Sequence, residues 1–274
     1  MISAESLRSA LDKTYFRIKG WKFRKHQIQK IPVEIESSRY AVKTISKRSE
    51  LEAVCRLRYE VFFKEGLGKK AAIQVDLDRF DFVADHLCVF DLESNRIVGT
   101  YRLLSDLFTT QFYSETEFEI SKFLQRPGGK LEMGRACIAP EHRNGVVIAL
   151  LWKGIYEYMH KSKARYLFGC TSFKTTSLKT IEKVCNDLHE KSSLDESLEI
   201  SVLPKFQIQN QSFASESLGQ QEDEKLSGLV RSYIKAGAKF YPKPAFDADF
   251  ECFDFFTYLD LQGSSLDYHR YGRA

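Results

Sequence analysis

Apolar positions along the chain recur with two periods, and the switches between them lay out alternating strands and helices. Tyr40-Ala-Val-Lys-Thr-Ile45 alternates well enough to be a strand. Ser49 is placed to cap a helix from Glu50 to about Glu65, because Leu51, Val54, Leu57, Val61 and Phe62 recur at helical spacing. Two strands, His86–Leu92 and Ile97–Leu104, are joined by Glu93-Ser-Asn-Arg96. Another strand, Lys130–Ala139, is stopped by Pro140. The mostly apolar stretch Asn144–Lys161 predicts a buried helix, Arg165–Thr171 a strand and Thr176–His189 a helix. Polar residues 207–225 read as a surface loop, before a helix at Leu226–Gly237 and a Phe-rich strand at Cys252–Leu261. No internal repeat is visible. Helices that interrupt a hairpin-rich sheet predict the α/β class, as a single three-layer αβα domain with a mixed central sheet.

Composition narrows the class without changing it. At 274 residues, 43% hydrophobic and 28% charged, the chain can bury a sizeable core, which excludes wholesale disorder, collagen and coiled coil. The longest apolar run, Val146–Trp152, is far too short to span a bilayer. No signal-peptide pattern is visible, and the expectation is a cytoplasmic protein. The six cysteines show no Cys-x-x-Cys spacing and no His/Cys cluster, so no metal is expected and the thiols read as reduced and mostly buried.

Net charge is only +4, but it is unevenly spread. Lys13–Lys30 carries seven Lys/Arg and no acid, interleaved with Tyr15, Ile18, Trp21 and Phe23. Residues 1–38 therefore read as a basic arm ahead of a catalytic body at 39–274. Such an arm suits the inner-membrane surface or an acidic protein partner; a solvated arm with no partner is the plainer alternative. Nucleic acid is not expected, because the rest of the chain has no matching basic signal.

The chemistry concentrates in Lys130–Ser172. A strand carries Glu132-Met-Gly-Arg135-Ala-Cys-Ile-Ala-Pro140, and Glu141-His-Arg143-Asn144-Gly145-Val-Val leads straight into the apolar helix. A Gly-bearing loop at a helix N-terminus offers backbone N–H groups to a phosphate. It resembles the Gln/Arg-x-x-Gly-x-Gly/Ala turn of the acetyltransferase superfamily, with Gly145 in place but Val147 where a second small residue belongs.

The fuller pattern resembles the ornithine N-acyltransferases that make lyso-ornithine lipid. It rests on the Glu132–Pro140 segment, Leu150-Leu-Trp-Lys-Gly-Ile155 and Leu167-Phe-Gly-Cys-Thr-Ser-Phe173. Upstream it includes Arg56-Leu-Arg58-Tyr-Glu-Val-Phe62, Asp78-Arg-Phe-Asp81, Asp85-His86-Leu87 and Val98-Gly-Thr-Tyr-Arg102-Leu-Leu. Downstream it includes Tyr233-Ile-Lys-Ala-Gly-Ala238 and Pro244-Ala-Phe-Asp247-Ala-Asp249-Phe, for coverage of roughly residues 40–271. The family in turn resembles the acyl-homoserine-lactone synthases.

The resemblance implies an acetyltransferase (GNAT-like) fold. It also implies an enzyme that moves a 3-hydroxyacyl chain from acyl carrier protein to the α-amino group of ornithine. No cofactor would be bound, since the donor carries its own 4′-phosphopantetheine. The departure at Val147 fits such a donor, which has no adenosine pyrophosphate. Alternatives are another amino-acid or amine acceptor, an autoinducer-type signal synthase, and a non-catalytic carrier-protein or lipid-binding module.

A thioester is already activated, so the protein must position an amine, remove its proton and stabilise an oxyanion. Glu132 is the candidate general base, directly or through water, the alternative being a structural carboxylate paired with an Arg. Arg135 is expected to hold Glu132 or an acidic substrate group. Strand alternation separates these two side chains unless a bulge at Gly134 brings them to one side. Arg58 and Arg102 are candidates for the amino-acid carboxylate or the pantetheine phosphate, and Asp78 and Asp81 for an ammonium. Arg143, Asn144 and Gly145 form the candidate phosphopantetheine loop. Cys170, in an apolar strand, reads as a buried thiol rather than an acyl carrier, and His86 and His142 as structural groups.

Overall fold

Two of the described helices begin where a serine side chain takes up an N–H group that the first turn leaves free. The computed structural model describes residues 29–68, 72–208 and 226–263. Within them the strands are β1 (Glu34–Glu36), β2 (Tyr40–Thr44), β3 (Asp85–Asp91), β4 (Arg96–Ser105), β5 (Phe118–Glu119) and β6 (Gly129–Ile138). They continue with β7 (Ala164–Phe173), β8 (Ser201–Val202), β9 (Lys239–Phe240), β10 (Ala245–Asp247) and β11 (Cys252–Asp260). The helices are α1 (Arg48–Tyr59), α2 (Ser121–Leu124), α3 (Val146–Ser162), α4 (Leu178–Glu190) and α5 (Gly228–Ala236). Most of the basic stretch Lys13–Lys30 and most of the polar stretch 207–225 lie outside the described residues. No helix among the described residues is long and apolar enough to cross a membrane.

The start of α1 differs from expectation. Ser49 lies inside the first turn, and Glu50 makes the cap by reaching back to the backbone N–H of Ser46 and Lys47, at 3.0 and 3.1 Å. The helix is also not α-helical to Glu65: Glu60–Glu65 widens into a π turn, closed by Gly66 N–H on the Val61 carbonyl at 3.0 Å. Ser177 and Ser227 cap α4 and α5 by accepting from Thr180 and Val230. Gly237 ends α5 at φ +94°, a conformation that favours glycine.

The described residues fall into two compact units, one of residues 29–68, 72–110 and 133–163, the other of 111–132, 164–208 and 226–263. In the first, the strand order is β1-β2-β3-β4-β6, with β1 to β4 antiparallel in turn. The sheet is covered on both faces, because neighbouring residues of β3 face opposite helices. Leu87 lies against Gly154 of α3, while Cys88 joins Ile45, Leu51, Val54, Cys55 and Ile97 in the cluster under α1. On β4, Val98 is an extra residue between the pairs Val89↔Gly99 and Phe90↔Ile97. This bulge reverses the alternation, so Ile97 packs under α1 while Gly99 receives Val147 and Leu151 of α3.

This unit begins earlier than Arg39. Gln29 donates to Thr44, and the backbone N–H groups of Lys30 and Ile31 bond the buried Asp85 at 2.8 and 2.9 Å. Tyr158 of α3 donates to the same carboxylate at 2.9 Å, so one aspartate ties the chain's entry to strand and helix together.

In the second unit, β7 pairs antiparallel with β11, and β11 with both β9 and β10. The first residues of β6 run parallel to β7 as far as Glu132↔Phe168. A separate short ladder joins β5 to β8. An aromatic core of Phe118, Phe123, Phe168 and Phe256 fills the interior, with ring centroids 5.1 to 6.0 Å apart in the pairs that touch.

The close fit of α3 on β2 and β3 gives a test of the first unit. A Cβ at Gly154 would lie 2.8 Å from Val42 Cγ1 and 2.9 Å from Leu87 Cδ2. Gly154→Val overpacks this contact and lowers unfolding free energy by ~1–3 kcal/mol, read from urea denaturation. An unchanged midpoint would mean that the helix is free to lift.

Candidate active site

Five of the sequence-predicted residues meet in one buried network of the first unit. Arg58, near the end of α1, donates through Nε to Asp76 Oδ2 at 2.6 Å. Its two Nη groups grip Asp81 at 2.6 and 3.2 Å, the forked geometry for which guanidinium and carboxylate are matched. Arg102 of β4 donates to Asp78 at 2.6 Å and to Asp81 at 3.3 Å. Arg135 of β6 closes the set at 3.4 Å from both Asp76 and Asp78. The aspartates are placed by a capped 3₁₀ turn, Arg79–Phe82: Asp78 accepts from Phe80 N–H and Asp81 from Asp78 N–H, both at 2.8 Å. Asp76, which completes the balance of three cations against three anions, carried no pattern in the sequence.

Exposure sorts these residues. The side chain of Arg58 has 0% of its surface exposed and that of Arg102 only 2%. Both are spent on aspartates, so they act as internal struts in this conformation rather than as open anion sites. Asp78 and Arg135, 26% and 15% exposed, are where the network reaches solvent. The break in β6 falls at Arg135 itself, at φ +51°, rather than at Gly134.

The charges hold one another ionised. Burial works against the Arg58 cation, but Asp76 and Asp81 outweigh it and raise its pKa well above the ordinary value. Burial likewise works against the Asp78 carboxylate, yet Arg102 and Arg135 hold it well below the usual range. Asp76 is lowered against its burial by Arg58 and Arg135. His86 sits beneath them, and burial pushes its pKa down to about 4. The neutral ring donates from Nε2 to the Asp81 carbonyl at 3.0 Å, leaving Nδ1 without a hydrogen-bond partner. His142 is structural too, with Nδ1 3.2 Å from the Tyr40 hydroxyl.

The loop before α3 belongs to the same unit. Gly145 is the N-cap at φ +89°, a conformation that strains any side-chain-bearing residue. Asn144 Oδ1 accepts from Val146 N–H at 3.1 Å, and Arg143 forms a bidentate pair with Glu65 of the π turn at 2.6 and 2.7 Å. Val147, in the position of the missing small residue, is fully buried against Gly99.

Glu132 anchors a different constellation, in the second unit. Its buried carboxylate accepts from the backbone N–H groups of Tyr113 and Ser114 at 2.6 Å each, and from Ser114 Oγ at 2.5 Å. These are the first residues of a 3₁₀ turn, Tyr113–Thr116, whose free N–H groups the carboxylate satisfies. Cys170 of β7 donates its thiol to Ser114 Oγ at 3.6 Å. Burial, reinforced by Glu117 and Asp254, pushes that thiol well up, so it stays protonated and is a poor nucleophile. Ser114 gave no signal in the sequence, since a lone serine between Tyr and Glu has no motif.

Residues 57–153 match the family model of the acetyltransferase (GNAT) domain. The chain is 30% identical over 237 residues to the L-ornithine N(alpha)-acyltransferase of Agrobacterium fabrum, across 81% of either chain. It is 29% identical over 245 residues to the enzyme of the same name from Brucella abortus, across 84% of this chain and 87% of that one. This chain belongs to the L-ornithine N(alpha)-acyltransferase family. A solved CoA-dependent acyl-homoserine lactone synthase, BjaI, is 15% identical across 82% of this chain and 83% of its own, with a TM-score of 0.44.

The protein is therefore an amide-forming acyltransferase with the α/β acetyltransferase fold and its mixed sheet.

Two expected outcomes test the network. Arg58→Met leaves buried aspartates without their main cation and costs ~3–5 kcal/mol of stability, read from denaturant unfolding. The second concerns pH. An unfolded chain takes up the His86 proton near 6.5, whereas the folded chain does so only at about 4. The unfolded state binds more protons across that window, so the stability His86 gives is complete above it and falls as pH drops through it. In His86→Gln, this part of the acid loss disappears from the urea midpoint measured against pH.

Proposed function

We propose that this chain transfers a (3-hydroxy)acyl group from an acyl carrier protein to the α-amino group of ornithine, giving lyso-ornithine lipid. The observation that carries the acceptor is the identity of about 30% with named L-ornithine N(alpha)-acyltransferases across four fifths of the chain. In the step, the amine nitrogen bonds to the acyl carbon, the thioester C–S bond breaks, and the pantetheine thiol leaves with a proton.

The loop before α3 supports a carrier-protein donor. The N–H groups at the start of α3 suit a phosphate, and Arg143 stands beside them, paired in this conformation with Glu65 and the Ile138 carbonyl. Val147 fills, with a side chain packed on Gly99, the position where a second small residue would let the backbone approach a pyrophosphate. One phosphate of 4′-phosphopantetheine fits that arrangement better than coenzyme A. Asp78 and Arg135 are the members of the ionic network with surface to offer a charged substrate group.

Glu132 is the proposed base, acting through Ser114. The hydroxyl gives its hydrogen to Oε1 and accepts from the Cys170 thiol, which leaves one lone pair for an incoming proton. As the amine attacks, Ser114 accepts the amine proton and passes its own to Glu132.

Mass spectrometry of lipids from cells expressing the protein, against an empty vector, tests the whole reading. A new N-acyl-ornithine supports it, and a new lipid built on another amine replaces the acceptor. With purified acyl carrier protein, Glu132→Gln should lower turnover by ~100-fold or more while donor binding persists, as general-base loss does. Ser114→Ala should lose about as much, and the double variant little more, because the two act as one relay. Wild-type turnover in Glu132→Gln would remove Glu132 from the chemistry.

A further inference from the structure

Three buried carboxylates of the second unit have no role so far. Glu117 follows the 3₁₀ turn that carries Ser114, Asp247 ends β10, and Asp254 lies on β11. One oxygen from each lies within 4.8 Å of the others, and their residues are 1%, 7% and 3% exposed. Two of the three are fixed in place. Asp247 accepts from the N–H groups of Asp249 and Phe250 at 2.8 and 3.2 Å. Asp254 accepts from Ser172 Oγ at 2.5 Å and from the Cys252 thiol at 3.5 Å. Glu117 is the exception: both of its oxygens are buried and neither has a hydrogen-bond partner of good geometry, although the Tyr113 and Cys170 side chains lie close enough to act on it.

Like charges packed this closely in an apolar interior need a cation or a proton. Burial, then Asp254 and Asp247, push the Glu117 carboxyl well up, while the nearby Tyr113 and Cys170 only soften the effect. The groups that act most strongly on it include no Lys or Arg. The donor set also points to a ligand: an ammonium has three N–H donors and no acceptor, matching one oxygen from each of three carboxylates.

We propose that Glu117, Asp247 and Asp254 form the subsite for the side-chain ammonium of a diamino-acid acceptor. This rests on the reading of the chain as an ornithine acyltransferase and deepens it. Glu117 supplies the orphaned acceptor that the ammonium satisfies, and the other two carboxylates complete the tripod. The segment 113–117 then carries both ends of recognition, Ser114 for the reacting amine and Glu117 for the other.

The experiment compares ornithine with norvaline, which has the same carbon chain without the side-chain amine. It uses full-length protein and reads both binding and turnover. Ornithine without acyl donor should raise the melting temperature of the wild type, and norvaline should not. In Glu117→Gln and in Asp247→Asn, the kcat/KM ratio of ornithine to norvaline should fall about 30-fold or more, as when one partner of a buried charge pair is truncated. Neutralising one of three clustered carboxylates relieves repulsion, so both variants should fold, and their unliganded melting temperatures check this. A ratio unchanged in folded variants overturns the subsite while leaving ornithine acylation intact. Glu117-dependent stabilisation by ornithine supports the subsite even if turnover uses a different donor. Stoichiometric binding of Mg²⁺ or Mn²⁺ that Glu117→Gln abolishes, with ornithine preference lost in chelator, overturns it in favour of a metal.

Discussion

A guanidinium cut off from water must find all of its hydrogen-bond acceptors inside the protein, and Arg58 imposes that condition on the first unit. Its partners come from outside α1: Asp76 from the stretch at 72–78 and Asp81 from the turn at 79–82. Those aspartates in turn need Arg102 and Arg135, which ties β4 and β6 to the same point. Swapping such a network for apolar side chains need not lower stability, whereas removing one member does. Its contribution is therefore position: segments with little regular structure are held in one arrangement, and only Asp78 and Arg135 are left to face solvent.

The second unit does the opposite with the same residue type. Its buried carboxylates at 117, 247 and 254 are gathered together, with no Lys or Arg among the groups acting most strongly on Glu117, and a fourth, Glu132, is satisfied by N–H and O–H donors of neutral groups. The two halves of the chain thus carry different electrostatic instructions. One set of charges is closed on itself and is structural at its core; the other leaves the buried Glu117 carboxyl without a well-formed hydrogen bond, and such a group is a receptor in waiting.

The sequence made the strongly periodic elements legible, as with the apolar helix α3 and the hairpin β3–β4, because burial on one face or both leaves a pattern. What it hid were choices made by single hydrogen bonds. The start of α1 depends on whether Ser49 or Glu50 reaches the free N–H groups, and both readings suit the same apolar positions. The bulge at Val98 and the π turn after Tyr59 change which side chains face which helix without changing composition. At the site, Arg58, Asp78, Asp81, Arg102 and Arg135 were visible through a family resemblance, yet their mutual pairing was not, since it joins residues distant along the chain. Asp76 and Glu117 were invisible for a plainer reason: an acid in a polar stretch looks solvated until the fold buries it.

The open cluster also bears on a choice that the chemistry poses. A diamino acid presents two amines, and a thioester reacts with whichever is unprotonated and in reach. An amine held among carboxylates keeps its proton, because each negative charge favours the ammonium, and an ammonium has no lone pair with which to attack. The amine that meets Ser114 finds instead a hydroxyl whose own hydrogen is already committed to Glu132, so it is the one that can lose a proton. On that assignment, regioselectivity needs no steric discrimination between the amines. The same 113–117 segment would keep one end of the acceptor protonated and deprotonate the other, and the acid cluster that costs the fold its buried repulsion is what makes the two ends unlike.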